Sequence, residues 1–436
     1  MKDLLDALPE AVAPELVLDA GHEDSPALPP DDDDVIRPAA EEDLIALGAD
    51  GSLANVGDAP LAKHLLWTFG PHHRDFPLML QLRVEVDGER LVTVDPEIGW
   101  HHQGLERALE GRTFADAFPL VARMQPQDPA GHVLAYALAV ERLLDMEHDV
   151  PERAQLWRCV VLELSRIRAH LSLLSSLVLA HSERASQLAF FDAARRVSTL
   201  VALASRRDAT WLLHAVGGLA DEVPDAVPEA IERALPEALA HIAAVGDRLW
   251  ANPAFTDSLA GLGVLDAEEA PGLGITGPAL RACGVADDLR HKAPVFAYAR
   301  ATPKLVTHTG GDGLARFAVR LDELAASSAA TVRLLAAFKA SDAPVRATAP
   351  APEDDRAGGA HVAVKETATA SLEIASGEIS VLLRAAEGSP SPSRVRLRGP
   401  SFPLVAALRR LLTGARLDDV VPILRSLGVS GSDLDR

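Results

Sequence analysis

Cysteine is nearly missing: the 436 residues hold two, Cys159 and Cys283. They form no CxxC pair, which excludes a disulfide framework and any all-cysteine zinc or iron–sulfur site within the chain. A reducing compartment fits that usage. Cys159 lies in a helical run and reads as a small buried hydrophobe. Aromatics are also scarce, 4% with two tyrosines, while apolar residues reach 48%. Such a core is built from Ala, Leu and Val, which favours packed helices over an aromatic-rich sandwich. Cations are in deficit, 42 Lys and Arg against 63 Asp and Glu, for a formal net charge of −21. That balance argues against autonomous binding to nucleic acid or to an anionic membrane surface, and leaves attachment through other subunits open. The N-terminus, MKDLLDALPEAVAPEL, has no basic region followed by an apolar core, so it is no signal peptide. The longest apolar run, at about 171–180, contains serines and is too short to span a bilayer. A soluble or peripheral protein on the cytoplasmic side is expected.

What is present divides the chain into segments. Residues 1–65 form an acidic leader punctuated by Pro29, Pro30 and the run Asp31 to Asp34. Partial disorder is expected there, with short helices near 3–8 and 40–47. Residues 66–100 alternate apolar and polar positions around Asp87-Gly88, a strong hairpin signal. Residues 101–342 read as a helical body. Pro151 suits the first turn of a helix running to about 180, and further helices are expected near 186–216, 226–250 and 313–341. The Gly- and Pro-rich segment 250–312 should be irregular. Residues 343–360 read as a linker, 361–398 return to strand-like alternation, and 402–428 read as two short helices. The expected class is α+β: a mainly helical body, an N-terminal β-hairpin module (66–100) and a C-terminal strand-containing segment (361–436).

Glu163, Arg166 and His170 recur at i, i+3 and i+7 on one helix face. Leu156, Val160, Leu164, Ile167 and Leu171 line the adjoining apolar stripe. On spacing alone a solvated salt-bridge face is the favoured reading, and a charged site at the edge of a packed interior is the alternative. Gly272 to Gly277 matches GxGxxG, but Pro271 and the preceding acids spoil the required strand and no suitable acid follows, so it reads as a turn. The pairs His72-His73 and His101-His102 place adjacent imidazoles on diverging directions, and no metal site is assigned to them. A lone histidine such as His73, close to Asp75, suits proton transfer. The segment GITGPALRACGVADDLR carries Arg281 and Arg290 among small residues, which fits an interface or a buried structural ion pair.

Several phrases, in order, resemble the D-type large subunit of NADH-quinone oxidoreductase, the quinone-site subunit of respiratory complex I, a family related to the large subunits of nickel–iron hydrogenases. They are GPHH at 70, PEIGWHHQGLER at 96–107, ARM at 122–124, LAYALAVERLL at 134–144, PERAQ at 151–155, ELSRIRAHL at 163–171, TGPALRACGV at 276–285, RVRLRGPSF at 394–402 and the terminal DLDR. The resemblance implies a chain that binds no cluster itself, packs on a B-type iron–sulfur partner subunit and borders the cavity that a quinone enters. The paired CxxC motifs that hydrogenases use for nickel and iron have no counterpart here. On the cluster side, Arg123 and His170 match the family's arginine and its proton-accepting histidine. On the quinone side the candidates are His73, as a proton donor, together with Arg123 and His132. Pro77 stands where the family has its second loop histidine, Pro126 where it has its tyrosine, and Gln125 replaces an acid. Proline offers neither a side-chain donor nor a backbone N–H. The implied function is that of a subunit of a complex I-like NADH-quinone oxidoreductase, peripheral to the cytoplasmic face of the plasma (inner) membrane through its partners. The alternative is a degenerate structural or assembly paralogue that keeps the docking surface without quinone chemistry.

Overall fold

The computed structural model describes residues 65–71, 79–205, 213–347 and 362–435. The leader with its expected helices near 3–8 and 40–47, the loop carrying His73 and Pro77, and most of the linker lie outside the described residues. All described residues fall in the unit Leu61–Arg436.

Three strands open it: β1 (Leu65–Phe69), β2 (Gln81–Asp87) and β3 (Arg90–Glu97), an antiparallel sheet in the order β1-β2-β3. The two-residue period of QLRVEVD turns Leu82, Val84 and Val86 into the core, facing Leu91 and Val94 from β3. The hairpin expected at Asp87-Gly88 is present, with Asp87 paired to Arg90 across the turn. β1 adds an edge strand that the alternation around the turn did not include.

Five helices follow: α1 (Leu105–Leu109), α2 (Phe118–Met124), α3 (Pro129–Leu143), α4 (Glu152–Ala180) and α5 (Arg184–Ser205). Asp128 caps α3 by accepting from the Gly131 amide at 3.1 Å, and Pro129 occupies the first turn, where its missing N–H costs nothing. α4 runs 29 residues without an internal glycine or proline, about 43 Å at the α-helical rise. Pro151, expected in its first turn, is instead the N-cap immediately before it. α4 buries Trp157, Val160, Leu164, Ile167 and Leu171, each at 1% exposure or less. A fully buried side chain of this kind contributes about 1.5–3 kcal/mol.

The rest of the body comprises β4 (His214–Ala215), β5 (Gly218–Leu219), α6 (Ala226–Leu239), α7 (Ile242–Trp250), α8 (Pro253–Leu259), α9 (Glu269–Gly272), α10 (Gly277–Arg281), α11 (Leu289–Lys292) and α12 (Gly313–Ala340). Of the expected helix at 186–216, α5 covers the part to Ser205; residues 206–212 lie outside the described residues, and His214–Ala215 form a short strand instead. The expected 226–250 helix is broken between Leu239 and Ile242, after Pro236 has removed one helical donor. α9 and α10 flank the glycine-rich turn, so no strand precedes it.

A second antiparallel sheet has β6 (Thr367–Ile374), β7 (Gly377–Arg384) and β8 (Arg394–Arg398) in that order. The chain ends in α13 (Ser401–Ala406), α14 (Leu408–Leu412), α15 (Val420–Leu427) and α16 (Gly431–Leu434). Three helices therefore fill the interval 402–428 where two were expected, because the first run is interrupted at Ala407 as well as at Gly414, φ 83°. α4 lies along α5 and α12, and α3 packs on β6 and β7, which brings the C-terminal sheet against the helical body. The loop at α10 meets the β6–β7 turn glycine to glycine. A Cβ on Gly277 (φ +68°) would lie 2.3 Å from Cα of Gly377 (φ +138°), so neither position has room for a side chain.

Candidate functional site

Glu163, Arg166 and His170 occupy one face of α4, and the structure buries all three, at 0%, 1% and 1% exposure. The solvated-face reading of their spacing is thereby overturned. Burial is possible because other elements bring compensating groups. Glu163 receives Arg290 Nη1 at 3.2 Å and the Tyr298 hydroxyl at 2.6 Å, with Arg166 Nε at 3.3 Å. Arg166 donates onward to the carbonyls of Ile374 and Glu373 at the end of β6, at 2.8 and 2.7 Å. His170 Nε2 lies 2.7 Å from Glu323 Oε2 on α12. Arg281, at the end of α10, donates to Glu323 and Glu373, both at 2.8 Å. Arg290 closes the set on Asp288, 2.6 Å from Nη2 to Oδ2.

Four carboxylates (Glu163, Asp288, Glu323, Glu373) thus face three guanidinium groups (Arg166, Arg281, Arg290) in a continuous buried cluster. Burial works to raise every one of these carboxyls, and the neighbouring cations decide the outcome. Arg166 and Arg290 hold Glu163 below the usual carboxylate range, Arg281 holds Glu323 well below it, and Arg290 draws Asp288 down to about 2. At Glu373 burial prevails, with the Asp288 charge adding to it, and the carboxyl is raised. Burial also lowers His170 to about 4, so the imidazole is neutral at pH 7.

Beside this cluster lies a cavity of about 630 Å³, bordered by Gln125, Pro126, Arg168, His170, Arg320 and Ser430. His101 and Met79 also reach it. His170 is the one residue shared by the cluster and the cavity wall. Pro126 is exposed to the cavity, while Gln125 is turned into the protein at 4% exposure and accepts from the Ser430 hydroxyl at 3.2 Å. Arg123 is exposed on the last turn of α2, two residues before Gln125. His132 does not border the cavity. It is fully buried in α3, its Nδ1 3.2 Å from the Asp128 carbonyl and its Nε2 3.7 Å from an Asp433 carboxylate oxygen. His73 lies outside the described residues.

Sequence reading missed Glu323, Arg320, Asp288, Tyr298 and Glu373. A signal for the α12 residues existed: Arg316, Arg320 and Glu323 repeat the one-face spacing that singled out α4. Glu373 sits in an apolar strand with no such flag.

Known proteins resemble the chain along the same lines. Residues 203–436 match the family described as "Respiratory-chain NADH dehydrogenase, 49 Kd subunit". A D-type subunit of NADH-quinone oxidoreductase from Chloroflexus aurantiacus is 32% identical over 393 residues, covering 85% of this chain and 94% of the relative. The corresponding D-type subunit from Trichlorobacter lovleyi is 32% identical over 384 residues, covering 84% and 97%. Among solved structures, a chain of the membrane-bound sulfane sulfur reductase, described as an archaeal respiratory membrane complex, superposes with a TM-score of 0.79 at 28% identity, covering 87% of this chain and all of that one.

Proposed function

The chain belongs to the D-type, or 49 kDa, subunit family of NADH-quinone oxidoreductases, and we propose that in a complex I-like assembly it forms one wall of the quinone-side cavity against a B-type iron–sulfur partner subunit. The observation that carries this reading is His170, a buried neutral imidazole that is at once a cavity wall and the end of a charged cluster. The partner's cluster supplies the electron that is passed to a quinone or similar acceptor. Arg123 presents an exposed cation near the cavity rim, able to stabilise negative charge on a docked neighbour. His170, held neutral by burial, gains proton affinity when negative charge appears nearby, so proton uptake accompanies reduction. Glu323 accepts from its Nε2 and steadies the resulting imidazolium. The assembly is peripheral to the cytoplasmic face of the plasma membrane through its partners; among the described residues no helix is long and apolar enough to cross a membrane.

One observation favours a second reading. Pro126 borders the cavity at the position where the family tyrosine would donate a proton, and its ring cannot do so. A paralogue retained for docking and assembly accommodates that change. Deletion of the chain separates the two. Loss of quinone-dependent NADH oxidation, with an Arg123→Ala variant that changes the cluster's electron-resonance signal, supports the enzymatic reading. Loss of assembly, with residual activity indifferent to Arg123→Ala, supports the structural one. An intact and fully active assembly without the chain would sink both.

A further inference from the structure

The cavity wall runs against the overall charge of the chain. In a molecule of net charge −21, Arg168, Arg320 and Arg425 border one cavity in which Asp128 is the sole carboxylate among the described lining residues. Asp128 is itself engaged, capping α3 through the Gly131 amide at 3.1 Å. Arg320 is the decisive member. It is 1% exposed, and its guanidinium donates to two carbonyls, Arg316 O at 3.0 Å and Leu427 O at 2.9 Å. No described carboxylate lies within ion-pair distance of it, because Glu323, one turn further along α12, is committed to Arg281 and His170. Its position at the wall is kept open by Gly428, where an added Cβ would lie 3.1 Å from Arg320 Nη2.

A buried cation without a counter-charge is costly unless something neutralises it. Burial, reinforced by the Arg316 charge, already pulls Arg320 down to about 9. At two wall positions neutral donation is reduced: Pro126 donates nothing and Gln125 faces inward onto Ser430, although the hydroxyls of Ser172, Ser176, Ser376, Ser430 and Ser432 also border the cavity. What sets this surface apart is its charge: three guanidinium groups against one carboxylate among the described lining residues.

We propose that the cavity binds a small-molecule anion, an acceptor of carboxylate or enolate character, with Arg320 as its deep charge partner. This rests on the cavity assigned under Proposed function and narrows the class of ligand it takes. Planar guanidinium groups suit a delocalised oxyanion, which accepts two parallel N–H bonds.

The test uses two ligands of one skeleton: 2-hydroxy-1,4-naphthoquinone, which is ionised at neutral pH, and neutral 1,4-naphthoquinone. Binding to the purified assembly and to the full chain is measured by calorimetry at low and high salt. The anion should bind about 10-fold or more tightly than its neutral counterpart, as expected for one charge-assisted contact. The preference should shrink with salt, vanish in Arg320→Gln and survive in part in Arg320→Lys. The comparison on unsubstituted protein decides the matter even if Arg320→Gln fails to fold. Tighter binding of the neutral quinone would overturn the charge inference and leave the cavity reading standing. Binding of neither ligand would remove both. Anion binding by the chain alone but not by the assembly would also overturn the proposal, since a neighbour's acidic side chain would then fill the site.

Discussion

Two groups of buried arginines meet along α12, and they are held in different ways. Arg281 and Arg290 are enclosed by carboxylates, and Arg166 pairs with Glu163 while donating to two carbonyls. Arg316 and Arg320 are held by neutral oxygens: Arg316 by Ser426 and the carbonyls of Leu262, Gly263 and Gly311, Arg320 by two carbonyls. The consequence shows in their basicity. Burial works against Arg281 and Arg290, yet the carboxylates around them raise both, whereas burial lowers Arg316 to about 10 and Arg320 to about 9. The first group is a closed structural lattice. The second carries a surplus of charge next to an open cavity, and surplus charge is what a ligand can use.

The sharpest way to break this contrast is Arg281→Met. It would strand Glu323 and Glu373 without their shared cation, and unfolding titrations should show a loss of about 3–5 kcal/mol. A loss below about 1 kcal/mol would mean that the carboxyls simply take up protons and that the lattice is not electrostatically closed. Next comes pH. Burial depresses His170 to about 4 and His214 to about 3 from 6.5, and neither His214 ring nitrogen has a hydrogen-bond partner among the described residues. Below 6.5 the unfolded chain binds these protons and the folded one resists them. Their stabilising contribution is therefore complete above that pH and drains away as pH falls toward 4 and 3. Stability should drop by about 3 kcal/mol between pH 6.5 and 5, and His214→Leu should remove about half of that slope. A flat urea-midpoint profile over this window would contradict the burial argument. A smaller effect is expected for Tyr298→Phe, which removes one donor to Glu163 while Arg290 and Arg166 remain; about 1–2 kcal/mol should be lost on thermal unfolding. Smallest of all, Arg320→Gln should cost about 1 kcal/mol or less, because it relieves an uncompensated buried charge as it gives up two carbonyl contacts. If it matched Arg281→Met, the distinction between the two groups would fall.

Much of the architecture could be read from local pattern. The Asp87-Gly88 hairpin, the long helix after Pro151 and the strand-like C-terminal segment each carry a periodicity that depends on neighbours in the chain, and each is present. Helix ends were less legible. The break after Leu239 depends on tertiary fit, which no window of sequence contains. The site was half visible. The i, i+3, i+7 set on α4 stood out, but its burial could not be inferred, since a solvated face and a neutralised interior face share one spacing. What decides between them is Glu323, 153 positions from His170, and Glu373, 92 positions from Arg281. A pairing across such separations leaves no local trace.

The glycine contact between the α10 loop and the β6–β7 turn reaches further than its size implies. Gly277 precedes Arg281 by four residues, and Gly377 follows Glu373 by four, so this bare backbone crossing sets the register of an ion pair it never touches. A methyl group introduced at either glycine would push the two segments apart and draw Arg281 away from Glu373. The resulting defect would present itself as one of electrostatics, and a search for its origin among charged residues alone would look in the wrong place.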